Sequence, residues 1–338
     1  MTQFTQIVTS SIVNNSVTAA ILGNSGNELG WRNRIINGDM RVDQRNSGAA
    51  QTITAAAALA YTVDRWYAWC TGANVTGQRV AGTGAQQYNY QFTGAASVTA
   101  INFAQRIEQN NSYDLAGTTA TLSVSLANSL LTTVTWTAYY ASTADTFGTI
   151  ASPTVTSIAT GTFTVTSTLT TYTTNIAIPA AATTGLQIVF SVGAQISGTW
   201  TIGNAQLERG SAATPFQRLN YGEQLIQCQR YCPSYQGVGS SIVATGQAFS
   251  TTSAGVIMPL QVTPRVLPTG VTVATPTGFA VLNATGGAVT LTTLVFGSGG
   301  YTSVRMNATV ASGLAAGNAC AFYEGNVNCL LIFTGCEL

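Results

Sequence analysis

The chain contains no histidine, and its twelve basic residues are all arginine, so lysine is absent too. Without imidazole there is no Ser-His-Asp or Cys-His activation of a nucleophile and no histidine metal ligand. Without lysine there is no Walker A phosphate loop and no Schiff base. The usual routes to acyl transfer, phosphoryl transfer and zinc hydrolysis are therefore closed. Chemistry by paired Asp and Glu remains open, since it needs carboxylates alone.

Charge of either sign is scarce. Charged residues make up 7% of the 338 residues, against about 25% in an ordinary soluble domain. The net charge of +1 supplies no long-range field toward nucleic acid or an anionic membrane. Residues 115–207 carry only Asp145, and residues 231–338 only Arg265, Arg305, Glu324 and Glu337. So uncharged a surface is either rich in Ser, Thr, Asn, Gln and Gly or covered by other copies. Both are expected here.

Long apolar runs are also missing. No stretch reaches the roughly 18 residues of a membrane-spanning helix, so no membrane insertion is expected. Met1-Thr2-Gln3-Phe4 lacks the basic start of a signal peptide, and none is expected. The six cysteines, Cys70, Cys228, Cys232, Cys320, Cys329 and Cys336, form no C-x-x-C and no zinc-ribbon spacing. They read as small buried apolar residues, with a metal or redox pair at Cys228 and Cys232 as the other reading.

What is present is β-type. Ala120–Leu126, Thr133–Tyr139 and Gly161–Thr166 alternate with period two, and Gln187–Val192 reads as a denser core strand. Gly, Asn and Pro punctuate at the spacing of a sandwich or jelly roll. Residues 1–32 predict a docking arm too short and polar to form its own core. Residues 33–218 predict a jelly-roll β-sandwich, 219–236 a helix and linker, and 237–338 a C-terminal β-sandwich module. Tyr221, Leu225, Cys228 and Cys232 form an apolar stripe at helical spacing, and Pro233 stops the helix. A helix so short must pack, on its own chain or on copies of itself around an axis. In the last module, Ala319–Tyr323 and Leu330–Thr334 predict a final hairpin turning at 325–328.

Four stretches carry a resemblance: Asn33–Arg45, Tyr61–Tyr67, Ala205–Phe216 and Tyr221–Tyr231, with Glu337-Leu338 at the end. In this order they resemble bacteriophage tail-fibre and receptor-binding proteins. The Asn37-Gly38-Asp39 start and the Leu207-Glu208 end are also similar to family 4/9-like carbohydrate-binding modules, which are jelly rolls. The resemblance implies an all-β virion protein of the phage tail or fibre, assembled in the host bacterial cytoplasm. It further implies a homotrimeric adhesin for host surface glycans, joined to other virion proteins through the N-terminal arm. A purely structural virion role, in a capsid fibre, baseplate or collar, is the alternative. The chain is not expected to be an enzyme, because each acid has an arginine nearby or stands alone and no β-helix repeat of a depolymerase is visible.

The modules it resembles often hold structural calcium, which implies an ion site at Asp39 and Glu208, with Asp43 or Asp64 near. The other reading is a set of ion pairs with Arg41, Arg45 and Arg65. Tyr67 and Trp69, on one face of a strand, are candidates for stacking on sugar rings, against ordinary packing. Trp136 is expected in the core. Tyr301, Arg305, Tyr323 and Asn326 are further candidates for glycan contact. Tyr221, Leu225, Cys228 and Cys232 are the candidate core of a trimer axis.

Overall fold

The computed structural model describes residues 31–56, 58–325 and 327–338. All but the last two residues of the expected arm, and Asn326, lie outside the described residues. The chain divides into two compact units. The first holds residues up to Arg41, Gly48–Thr62 and Trp66–Arg218; the second holds Val42–Ser47, Val63–Arg65 and Leu219–Leu338.

The first unit is a jelly-roll β-sandwich. Its strands are β1 (Gln51–Ile53), β2 (Ala60–Tyr61), β3 (Tyr67–Thr71), β4 (Val75–Ala81), β5 (Tyr88–Thr93) and β6 (Ala100–Ile107). After a single turn of helix, α1 (Gln109–Ser112), come β7 (Thr119–Asn128), β8 (Thr133–Ala141), β9 (Val155–Thr164), β10 (Thr170–Ala177), β11 (Leu186–Val192) and β12 (Thr199–Arg209). They form two six-stranded sheets, ordered β1-β4-β5-β12-β7-β10 and β2-β3-β6-β11-β8-β9. Successive strands from β5 to β8, and again from β10 to β12, cross from one sheet to the other. Period-two alternation then turns one face of every strand into a shared core. Aromatic rings dominate it: Trp66 stacks on Phe103 at 4.6 Å, Tyr90 on Phe103 at 5.0 Å and Phe92 on Trp200 at 5.2 Å. Trp136 joins this core as expected.

The two separated motifs of this unit meet edge to edge. Arg34 N–H donates to the Leu207 carbonyl (2.8 Å), and Ala205 N–H to the Gly38 carbonyl (3.0 Å). Asn33 bridges them, accepting from Leu207 N–H at 3.0 Å and donating to the Ala205 carbonyl at 3.0 Å. Gly38 is required there, since a Cβ would lie 2.1 Å from the Ala205 oxygen.

The second unit opens with α2 (Tyr221–Gln229). Glu223 accepts from Asn220 N–H at 3.3 Å, satisfying a donor left orphaned at the helix start. There follow β13 (Ser234–Val238), β14 (Ser241–Ala248), β15 (Ser253–Pro259), β16 (Gly270–Val273) and β17 (Phe279–Leu282). The unit ends with β18 (Ala288–Gly299), β19 (Ser303–Val310), β20 (Ala319–Glu324) and β21 (Val327–Thr334). Strands β14-β15-β19-β18-β17-β20 close into a barrel, and β13-β21-β16 make a three-stranded sheet. The expected second sandwich is thus a closed barrel with a small sheet, an arrangement that leaves the barrel strands no free edge. The expected last hairpin does not form: β20 pairs with β14 and β17, and β21 with β13 and β16. Glu324, fully buried at the end of β20, takes Tyr235 O–H and Gly239 N–H, tying barrel to sheet.

Five separate stretches meet in a buried polar cluster of this unit. Gln44 N–H donates to Asp64 (3.0 Å), and its amide donates to the Cys232 carbonyl (3.2 Å). Arg45 pairs with Glu337 at 2.9 Å and lies 3.8 Å from Asp64. Arg265 donates to the Glu337 carbonyl at 2.6 Å.

Candidate functional site

The outward face of the second sheet of the jelly roll is the candidate site. In β3, Ala68 and Cys70 point into the core, so Tyr67, Trp69 and Thr71 point out. Strand register then aligns three rows across the sheet. The first runs Trp69, Asn102, Ser191, Thr135 and Thr162. The second runs Tyr61, Tyr67, Ala104, Val189, Thr137 and Thr160. The third runs Arg106, Gln187, Tyr139 and Ser157.

Aromatic rings occupy one end of this face. Tyr67 and Trp69 stack at 5.8 Å with planes 19° apart, and Tyr61 meets Tyr67 edge-on at 6.1 Å. Trp69 is half-buried, whereas Tyr67 is buried with Ala104 and Val189 under Leu59, Tyr61, Trp69, Tyr139 and Ile150. Beside the rings lie neutral hydrogen-bonding groups. Ser191 Oγ donates to Asn102 Oδ1 at 2.7 Å, and the Thr137 and Thr160 hydroxyls are 3.1 Å apart. Arg106 stands 5.2 Å from the Tyr67 ring and donates to the Gly148 carbonyl at 2.8 Å. The three rows carry no carboxylate. Flat apolar rings beside amides and hydroxyls suit a ligand with apolar faces and hydroxyl edges.

The candidate residues separate on this scaffold. Tyr67 and Trp69 share the face, but Tyr67 is a buried support and only Trp69 offers a ring edge. Tyr301, 54% exposed, sits in the β18–β19 turn. Arg305 and Tyr323 point outward from β19 and β20, which stand three strands apart either way around the six-stranded barrel. One copy of the barrel therefore cannot gather them into a single site.

Asp39 pairs with Arg41 at 2.6 Å. Glu208 accepts from Thr214 N–H (2.8 Å), Thr214 O–H (2.6 Å) and the Gln206 amide (3.0 Å). Among the described residues there is no group of three or more His, Cys, Asp or Glu side chains that could hold a metal ion. Of the expected ion pairs, Arg41 goes to Asp39, while Arg45 goes to Glu337 and more distantly to Asp64, and Arg65 goes to Glu337.

The axis stripe also divides. Cys228 and Cys232 are 0% exposed in the single chain, and Leu225 is half-buried, while Tyr221 at the helix start is 54% exposed. Gln44, Arg45 and Asp64 of residues 42–47 and 63–65 lie against Cys232, so the Cys232 end of the stripe packs on its own chain. Burial raises both thiols well above their ordinary range.

Tyr61, Asn102, Arg106, Gln187 and Ser191 were not singled out from the sequence. Alternation within β6 and β11 marks Asn102, Arg106, Gln187 and Ser191 as facing away from the core, but no local pattern says which strands lie side by side.

No protein-family model matches the sequence, and no curated protein matches it. Several solved structures are similar to about half of it. One is the enzymatically active domain of tailspike protein 4 of bacteriophage CBA120 (TM-score 0.33, 19% identity), where the match covers 52% of this chain but 21% of that one. Another is a CBM4 module (TM-score 0.32, 17% identity, 51% of this chain and 97% of that one). A third is TmCBM61 in complex with β-1,4-galactotriose (TM-score 0.33, 13% identity, 53% and 99%). At these scores they stand as likenesses only, and the strand order described above is what makes the first unit a jelly roll.

Proposed function

We propose that the chain is a glycan-binding adhesin of a bacteriophage tail fibre, gripping host-surface sugars through the outward face of the second sheet. The observation that carries this reading is the Tyr67–Trp69 stack beside the Asn102–Ser191 pair. A pyranose ring has apolar C–H faces and a hydroxyl rim, and this face offers a ring for one and neutral amides and hydroxyls for the other. Each contact is weak, so adhesion comes from repetition on several copies. The ordered motifs that resemble phage fibres support the virion setting, with residues 1–32 as the arm that docks on other virion proteins. A homotrimer supplies the copies. Outward-facing Ile242 and Ile257, 63% and 56% exposed on a barrel whose surface is nearly uncharged, support association.

Immobilised host lipopolysaccharide should retain the full chain and release the Trp69→Ala variant, while sedimentation should give about three times the 35.0 kDa chain mass. Retention unchanged by Trp69→Ala would remove this face from the reading. A second reading, a purely structural virion component, is favoured by the cover that Leu59 and Ile150 place over the same layer. It predicts no retention of either protein.

A further inference from the structure

One end of the barrel in the second unit contains a cavity of about 230 Å³. Its buried lining residues are apolar and small to medium in size: Ala248, Leu314 and Cys320. Its rim is neutral and polar, with Asn283 and Asn318 among the lining residues. The walls are hydrogen-bonded to one another. Asn283 donates from Nδ2 to the Gly313 carbonyl (3.2 Å) and accepts at Oδ1 from Thr285 O–H (2.8 Å) and Gly287 N–H (2.9 Å). Gly317 N–H donates to the Ala248 carbonyl (2.9 Å), Ala248 N–H to the Asn318 carbonyl (2.9 Å) and Leu314 N–H to the Thr251 carbonyl (3.2 Å). The two loops that frame the cavity are thus held before any ligand arrives, which lowers the ordering cost of binding.

From this lining we infer that the barrel mouth is a second glycan subsite, specific for an N-acetylated amino sugar. No charged residue lines the cavity, so it has no partner for a phosphate, a carboxylate or an ammonium. No aromatic ring lines it either, so a bare pyranose finds no face to stack on. Apolar contact must come from a small group on the ligand. The apolar floor accepts a methyl, and the Asn318 side chain on the rim meets a neighbouring amide. An acetamido group carries both a methyl and an amide. The site lies in the other unit from Trp69 and does not depend on that face.

The test is saturation-transfer NMR on the full chain with N-acetylglucosamine, glucose and the 6-deoxy sugar fucose as probes. N-acetylglucosamine should bind, with its acetyl methyl receiving the strongest saturation, and glucose should show none. Ala319→Trp, at an exposed alanine of the lining, should abolish the signal by filling the cavity. Asn318→Ala should weaken it several-fold, and Trp69→Ala should leave it unchanged. Equal signals from glucose, stronger signals from fucose, or a signal surviving Ala319→Trp would overturn the assignment. A fold check by far-UV circular dichroism accompanies each variant, and an unfolded Ala319→Trp is replaced by Ala315→Trp, at another exposed residue of the lining, with the same outcomes.

Discussion

The guanidinium of Arg65 pairs with the carboxylate of Glu337, 272 positions further along the chain. Arg65 is 2% exposed, holds a left-handed backbone (φ 73°) and lies 3.6 Å above the ring of Tyr231. Its neighbours Asp64 and Arg45, with Gln44 and the Cys232 carbonyl, complete the cluster. Most of the residues through which the sequence resembles phage fibres at Asp43–Arg45, Asp64-Arg65, Cys228–Tyr231 and Glu337-Leu338 therefore hold the second unit together.

Glu337→Ala leaves Arg65 buried without its carboxylate. Breaking a buried pair on one side costs about 3–5 kcal/mol, so urea unfolding of the full chain should show the second unit destabilised by about that much, with the first unchanged. A fragment of residues 219–338 lacks Gln44, Arg45, Asp64 and Arg65, and should give no cooperative transition. A fragment that melts like the full-length second unit would refute the cluster's role.

Asp64 is fully buried, and that burial raises its carboxyl to about pH 6 against the pull of Arg45 and the Gln44 donors. Its folded pKa lies above its unfolded value of 3.8. Its contribution is therefore fully present below about pH 4 and lost as pH rises through about 6. Asp64→Asn should flatten the slope of stability against pH in that window, removing a change on the order of 3 kcal/mol. Chemical denaturation at pH 4, 5, 6 and 7 reads this directly.

Tyr67 and Trp69 should differ in what their removal does. Tyr67→Ala empties a buried ring site and should cost about 3–5 kcal/mol. Trp69→Ala, at a half-buried ring, should cost about 1 kcal/mol or less while abolishing glycan retention. Equal losses of stability would mean that Trp69 is packing rather than surface.

Two glycines should respond with opposite sign. Gly38→Ala drives a methyl into the Ala205 carbonyl, 2.1 Å from the ideal Cβ position, and should cost about 3 kcal/mol. Gly222→Ala, in the first turn of α2 with nothing within 4 Å, should stabilise by about 0.5–1 kcal/mol. Thermal melts of both variants compare them.

Fold class was legible in local pattern. The alternation at 120–126, 133–139 and 187–192 lies within β7, β8 and β11, and the stripe ending at Pro233 contains α2. Side-chain period reports which face is buried, and that needs only neighbouring residues. The absence of imidazole and ammonium groups likewise follows from composition alone.

What covers each face was decided in three dimensions. The stripe from Tyr221 to Cys232 reads the same whether it packs on copies of itself or on its own chain, and Gln44 and Asp64 settle it for Cys232. Likewise 319–323 and 330–334 look like a hairpin but join different sheets. Trp69 meets Asn102, Asn102 meets Ser191 and Arg65 meets Glu337 only because segments far apart in sequence become neighbours. Closing such long loops costs chain entropy that no single contact repays, so those partners are chosen by the cooperative burial of the whole core.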